Sequence, residues 1–252
     1  MVLLRDTDAR RESNPMALKA YINFCFKNYL RQHRYLRDLV AMVIFSIFFG
    51  GFLTSTNLDD NLWWMVLSVF AIFLNIFTAP AVFFLEKGNT LYFLLSKSDG
   101  RRNLLLSKII VIVLVDLFWI LFFAVLYGLR FLSVDYFLLL PIRVVIVGIM
   151  ILLSTLLISI AYSYRPQLTW LIFAMLIFGC IVRKEPLFPI TSFEEFLKPL
   201  AFLLPPFFEM ISFAISLQIE STIQLAFLGT AFLQIFLLFY LSNKIMRRKD
   251  LV

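Results

Sequence analysis

Residues 108–130 read KIIVIVLVDLFWILFFAVLYGLR. A helix needs about 20 mostly apolar residues to cross a hydrocarbon core about 30 Å thick. This stretch supplies them, with Asp116 as the one charge between Lys108 and Arg130. Five further stretches read the same way: 38–56, 62–85, 138–161, 167–182 and 222–243, the fifth in chain order (167–182) being short. The whole chain agrees with them. Of its 252 residues 62% are hydrophobic and 15% charged, and the mean hydropathy is +0.91. A soluble domain carries about 45–50% apolar and about 25% charged residues, and could not cover this much hydrocarbon with polar surface. Disorder, collagen and coiled coil are excluded by the same figures. The expected fold is an all-α polytopic membrane protein with six transmembrane helices.

The stretch 199–217, within the segment 186–220, is nearly as apolar, but Pro199, Pro205 and Pro206 interrupt it. Proline removes a backbone donor and breaks helices. The segment, with Glu209 in it, therefore reads as short re-entrant helices on the outer face before the sixth span. The rival is a seventh span. Lysine and arginine set the orientation. With both termini in the cytoplasm, 18 of the 23 basic residues fall on the inner side. A seventh span would put the basic tail outside. The net charge of +7 is thus a topological signal, not a sign of a nucleic-acid partner. The expected location is the cytoplasmic (inner) membrane.

The chain divides at about residue 37. Residues 1–37 contain a basic segment that is not a secretory signal, because its first apolar span begins only near residue 38. Asn14 and Pro15 suit a helix start. Lys19, Asn23, Lys27, Arg31 and Arg34 then recur every three to four residues, with Leu18, Ile22, Phe26, Tyr29 and Leu36 mainly opposite. That pattern is an amphipathic helix lying on the inner membrane surface; the plainer alternative packs it on the rest of the protein. Residues 38–252 form the six-span domain.

No phosphate-binding loop, HExxH, CxxC or GxSxG string is present. His33 reads as a surface histidine. The pairs Asp59–Asp60 and Glu194–Glu195 read as solvated faces. Cys25 and Cys180 lie too far apart in the topology to meet, so neither a disulfide nor a zinc site is expected. Trp63 and Trp64 read as an aromatic belt at the outer end of the second span. Gly50-Gly51 and Pro80 mark places for close packing or bending.

Asp116 lies eight residues, about 12 Å, beyond Lys108. A charge near a helix centre costs about 2.5–3.5 kcal/mol on insertion scales. None of residues 112, 113, 119 and 120 can pair with it. It either lines a substrate path or subunit contact, or forms a structural hydrogen bond to Asn75, Ser154 or Thr155. Asn75, Gln224 and Gln234 read as helix-to-helix hydrogen bonds.

The segment 86–108, EKGNTLYFLLSKSDGRRNLLLSK, is cytoplasmic by the charge count. Thr90 can cap a short helix whose apolar residues are Leu91, Phe93, Leu94 and Leu95. Such a helix between charged clusters needs a partner or the lipid interface. This run resembles the first cytoplasmic loop of ABC type-2 permeases, the membrane subunits of ABC exporters. The residues that carry the resemblance are Glu86, Gly88, Thr90, Leu91, Leu94, Leu95, Ser96, Arg101, Leu105, Leu106 and Lys108. Asn89, Ser98 and Ser107 depart from the family pattern. The layout is similar too: an interfacial N-terminal helix, six spans, broken outer helices and a basic tail.

The resemblance implies a permease that dimerises with a second permease subunit, a like copy or a paralogue. It would work with a separate ABC ATPase subunit that carries ATP and magnesium, so this chain would hold no cofactor and catalyse no reaction itself. The ATPase would grip the loop at 91–95 and the interfacial helix. Glu86, Lys87, Arg101 and Arg102 would be interface charges that tune recognition. A heme-exporter-type permease of cytochrome maturation is the alternative within this class. From a different class, a membrane-embedded lipid-modifying enzyme would need clustered titratable residues, and the carboxylates are scattered. An ion-driven carrier would need several intramembrane acids, and Asp116 is nearly alone.

Overall fold

A computed structural model of the chain describes residues 15–54, 59–84, 100–131, 134–164, 166–183, 203–217 and 222–248. Among these residues every regular element is helical. In chain order they are α1 (Pro15–Arg31), α2 (Tyr35–Thr54), α3 (Asp60–Phe83), α4 (Gly100–Phe131), α5 (Val134–Tyr164), a short 3₁₀ turn (Pro166–Leu168), α6 (Thr169–Ile181), α7 (Phe207–Ser216) and α8 (Thr222–Arg248). Among the described residues four stretches are, by length and composition, long and apolar enough to cross a membrane: Asp60–Phe83, Gly100–Arg130, Val134–Tyr162 and Ala226–Met246. At 1.5 Å per residue, α6 measures about 20 Å and α7 about 15 Å. Both fall short of a core about 30 Å thick. The stretch expected as a fifth span is therefore a 13-residue helix. Residues 207–216 form a half-length helix that starts directly after Pro205 and Pro206.

Local chemistry fixes the ends. After α1, His33 takes the left-handed conformation (φ 53°). Its N–H donates to Leu30 O at 3.0 Å and that of Arg34 donates to Tyr29 O at 3.1 Å. This is the paired closure of a helix ending in a left-handed residue, with histidine among the side chains that tolerate it. It turns the chain from α1 into α2 within three residues. At the start of α3, Asp59 caps the helix by accepting from the Asn61 N–H at 3.0 Å.

Helices α3, α4 and α5 form the centre, each packed on the other two, and α8 lies along α5. The apolar core falls into two clusters. One gathers Phe83, Leu104, Ile112, Leu156 and Met210 with residues of α1. The other gathers Phe45, Trp63, Trp64, Leu67, Ile120 and Tyr127. Trp63 and Trp64 are fully buried, which corrects the expected lipid-facing belt. Trp63 stacks on Tyr127 at 4.7 Å, and the Arg143 guanidinium sits 5.4 Å above Trp64. Internal partners, not headgroups, take these rings. Gly50 is corrected too, since a side chain there would meet nothing within 4 Å. Close approaches are at Gly128, where an added Cβ would lie 2.7 Å from the Tyr136 ring, and at Gly179, where it would lie 3.0 Å from Pro205 O and 3.1 Å from the Phe207 ring.

Candidate functional site

The polar side chains of the bundle collect where the two apolar clusters meet. Asn75 of α3 donates to Asp116 Oδ2 of α4 at 2.7 Å and to Thr155 Oγ1 of α5 at 2.8 Å. Ser154 Oγ donates back to Asn75 Oδ1 at 2.7 Å. All four side chains are fully buried. Of the two readings of Asp116, the hydrogen bond to Asn75 is the contact formed. One amide thus joins three helices. Each of these bonds is worth about 0.6 kcal/mol on average inside a membrane, and together they fix helix rotation.

A second knot lies eight residues away on every one of these helices. Lys108 of α4 is fully buried. Its ammonium donates to Phe83 O, the last residue of α3, at 2.7 Å. It also donates to Tyr162 OH of α5 at 3.3 Å and lies 4.9 Å from that ring. Eight residues correspond to about 12 Å. Asn75 to Phe83, Asp116 to Lys108 and Ser154 to Tyr162 therefore cover the same length, and the helices run in register between the knots. A cation on the last carbonyl of α3 also complements the helix dipole. Lys108 thereby ties the end of α3 to the third turn of α4.

Helix α1 docks beside this knot. Its buried stripe is Tyr21, Cys25 and Tyr29, and Cys25 Sγ meets Ser107 Oγ at 3.4 Å. The expected inward set included Phe26, which is exposed. A spacing of four puts 21, 25 and 29 on one stripe and turns Phe26 away from it. Lys19, Lys27 and Arg31 lie outward with Phe26 and Leu30 among them, while Arg34 is half-buried in the turn after the helix. The outward face is therefore both basic and apolar. Tyr29 OH donates to Asp38 Oδ2 of α2. Asp38 Oδ1 accepts from Thr78 of α3 at 3.2 Å. Burial, followed by the charge of Asp38, pushes the Tyr29 hydroxyl well above its ordinary 10.0. Burial raises Tyr21 in the same direction.

At the other end, α7 is held by its backbone. Arg143 of α5 donates from Nη2 to Ile215 O at 3.4 Å, near the end of α7, where Leu217 is left-handed (φ 51°). Glu209 sits buried in the first turn of α7, where a carboxylate suits the helix dipole. Gln234 of α8 donates to Leu204 O at 3.5 Å, just before Pro205. Beside α7 an apolar groove of about 610 Å³ opens between α2, α3 and α6, lined by Phe45, Phe48, Val69, Phe73 and Ile211 among others.

Of the loop residues singled out from sequence, only Arg101 and Arg102 are described; both are half-buried in the first turn of α4. Glu86, Lys87, Gly88, Thr90, Leu91, Leu94 and Leu95 lie outside the described residues. Sequence reading passed over three anchors. Asp38 entered only as the first residue of the 38–56 stretch, Arg143 only in the charge count of an outer connection, and Lys108 as the end of the loop pattern. For Lys108 a signal existed, since it closes the loop pattern. Neither Cys25 nor Cys180 is in a disulfide. Among the described residues no group of three His, Cys, Asp or Glu side chains is placed to hold a metal ion. The chain matches no protein-family model, no curated protein and no solved structure.

Proposed function

We propose that the chain is the permease subunit of an ATP-driven exporter of the ABC type-2 kind. It would cross the inner membrane six times with both termini in the cytoplasm, with α2 as its first span and the 13-residue α6, lengthened by the 3₁₀ turn Pro166–Leu168 before it, as a short fifth. It would pair with a second permease subunit and be driven by a separate ATPase holding ATP and magnesium. One observation carries this reading. Lys108, in the third turn of α4, binds that helix to the end of α3 and to the end of α5, close to where the connection 84–99 joins α3. A loop that receives a push needs such a stiff base. Helix α1 supports the reading too: it lies against the same knot through Cys25 and Ser107, and its outward basic and apolar face suits an anionic lipid surface. The half-length α7 after two prolines and the open groove beside α2 are consistent with a path assembled between two copies.

The experiment is purification of the full chain from its native membrane with associated proteins. A P-loop ATPase is expected to co-purify and to be lost when Leu94→Arg and Leu95→Arg are combined. Absence of an ATPase, or transport unaffected by the double substitution, rejects the proposal.

A further inference from the structure

Two apolar hollows lie along α2 and run into each other. The groove of about 610 Å³ beside α7 and a smaller hollow of about 340 Å³ share Ala41 and Ile44 of α2 and Phe73 of α3. They make one groove along the seam between α2 and α3. The larger part is apolar apart from Ser212 and Cys180. The smaller part ends at Leu36 and Arg37, and Arg37 is the one charged side chain on either lining. Arg37 is exposed, and among the described residues its guanidinium makes no hydrogen bond or ion pair. The neighbouring Asp38 is buried and already accepts from Tyr29 and Thr78. The Arg37 N–H donates to Arg34 O at 3.1 Å, so a second cation stands one turn before it.

The dimensions choose the occupant. From Arg37 to Phe48 α2 rises about 17 Å, against about 15 Å for half of a hydrocarbon core about 30 Å thick. The groove therefore matches one leaflet, with its cation at one end. Between Ala41 and Phe49, about 12 Å of helix, the larger part averages about 50 Å² in cross-section. A helix with its side chains is about 10–12 Å across, or about 80 Å² and more, so no helix of a second copy enters. Hydrocarbon carbons pack about 4 Å apart, so one or two acyl chains fit. A positive mouth on an apolar slot of leaflet length calls for an anionic headgroup on a hydrocarbon tail. We propose that this groove is a binding site for an anionic phospholipid, with an acyl chain along Ala41, Ile44 and Phe73 and the phosphate on Arg37. The site rests on α2 standing in the bilayer, not on the transport reading, and is tested on the isolated chain.

The test is photolabelling of the full chain in nanodiscs, with phosphatidylglycerol or phosphatidylcholine carrying a diazirine in the acyl chain and the labelled residues mapped by mass spectrometry. The phosphatidylglycerol probe should label Ile44, Val69 and Phe73 at least about fivefold more than the phosphatidylcholine probe. Arg37→Gln should remove that difference and Arg37→Lys should keep it, while Lys244→Gln, on α8, should change nothing. Ile44→Trp fills the junction of the two hollows and should lower labelling of Val69 and Phe73, leaving the exposed Phe236 of α8 labelled as before. Circular dichroism confirms that each variant is folded. Three outcomes overturn the proposal. Equal labelling by the two probes would mean that α2 faces lipid without a headgroup site. No groove labelling by either would mean that α2 stands outside the bilayer or that protein fills the groove. A preference that survives Arg37→Gln would place the recognition elsewhere.

Discussion

Replacing Lys108 by methionine keeps most of the stem volume and removes the charge. Three contacts go with it: the 2.7 Å bond to Phe83 O, the 3.3 Å bond to Tyr162 OH and the cation over the Tyr162 ring at 4.9 Å. A hydrogen bond to a charged group contributes about 1.5–3 kcal/mol, and a buried carbonyl left without its partner costs about 1–3 kcal/mol. These overlap, because stranding Phe83 O is part of losing the bond. The cation–π contact adds about 0.5–2 kcal/mol. A combined cost of about 3–5 kcal/mol follows, less the ammonium's own desolvation, which methionine escapes. The net expectation is about 2–4 kcal/mol. At 1.4 kcal/mol per tenfold, the knot would open about 30- to 700-fold more often. Hydrogen exchange on the purified protein should show lost protection at the end of α3 and in the first three turns of α4. Protection around Asn75, about 12 Å deeper, should change far less. Lys108→Arg should not rescue it, because a planar guanidinium does not fit where a compact ammonium is fully enclosed. A cost under about 1 kcal/mol, or loosening spread evenly over α3–α5, would refute the knot as a local clamp.

Three further outcomes are expected. Asn75→Leu removes three buried hydrogen bonds and should cost about 2–4 kcal/mol in detergent unfolding, with Ser154→Ala costing about a third of that. Gly179→Ala sets a methyl 3.0 Å from Pro205 O and should cost about 1–3 kcal/mol, whereas Gly50→Ala, which meets nothing within 4 Å, should be neutral or stabilising by up to about 1 kcal/mol; equal melting temperatures for the two would reject the α6–α7 contact. Tyr21 and Tyr29 are raised in the folded chain, so the undocked helix loses its phenolic protons first as pH rises. Docking of α1 is therefore complete below pH about 10 and weakens above it, which proteolysis within α1 followed against pH will show; cleavage that rises on acidification instead has the wrong sign.

Much of this architecture was legible because apolar length is a one-dimensional signal. The stretches 62–85, 108–130, 138–161 and 222–243 correspond to α3, α4, α5 and α8, and prolines 205 and 206 mark where α7 starts. For Asp116 the sequence offered a substrate path or a bond to Asn75, Ser154 or Thr155, since an acid in hydrocarbon must meet a polar group; Asn75 is the one that bonds it directly, with Ser154 and Thr155 reached through Asn75. What was not legible depends on which way a side chain near a helix end turns. Asp38 and Arg143 sit where a charge can equally reach water or fold inward, and sequence spacing does not choose. The same holds for Trp63 and Trp64, whose position suits a lipid belt while Tyr127 and Arg143 draw them inside.

The two knots explain why α1 matters to a chain whose bulk is hydrocarbon. Asn75 and Lys108 hold α3, α4 and α5 at two points about 12 Å apart, so these helices move as one body. Helix α2 makes no second side-chain hydrogen bond of this kind among the described residues and otherwise packs through Phe45 on Phe70 and Phe123; Asp38 binds it to α3 through Thr78 and to α1 through Tyr29. A force that displaces α1 is therefore transmitted to Asp38, and through it to α2 and its side of the groove, before it reaches the rigid trio. The order of motion follows from the count of anchors. Cross-linking Cys25 to a cysteine placed at Ser107 fixes α1 to α4, and should leave α3–α5 exchange unchanged while slowing exchange in the first turns of α2. Equal slowing in α2 and in the trio would mean that α2 is part of the same body.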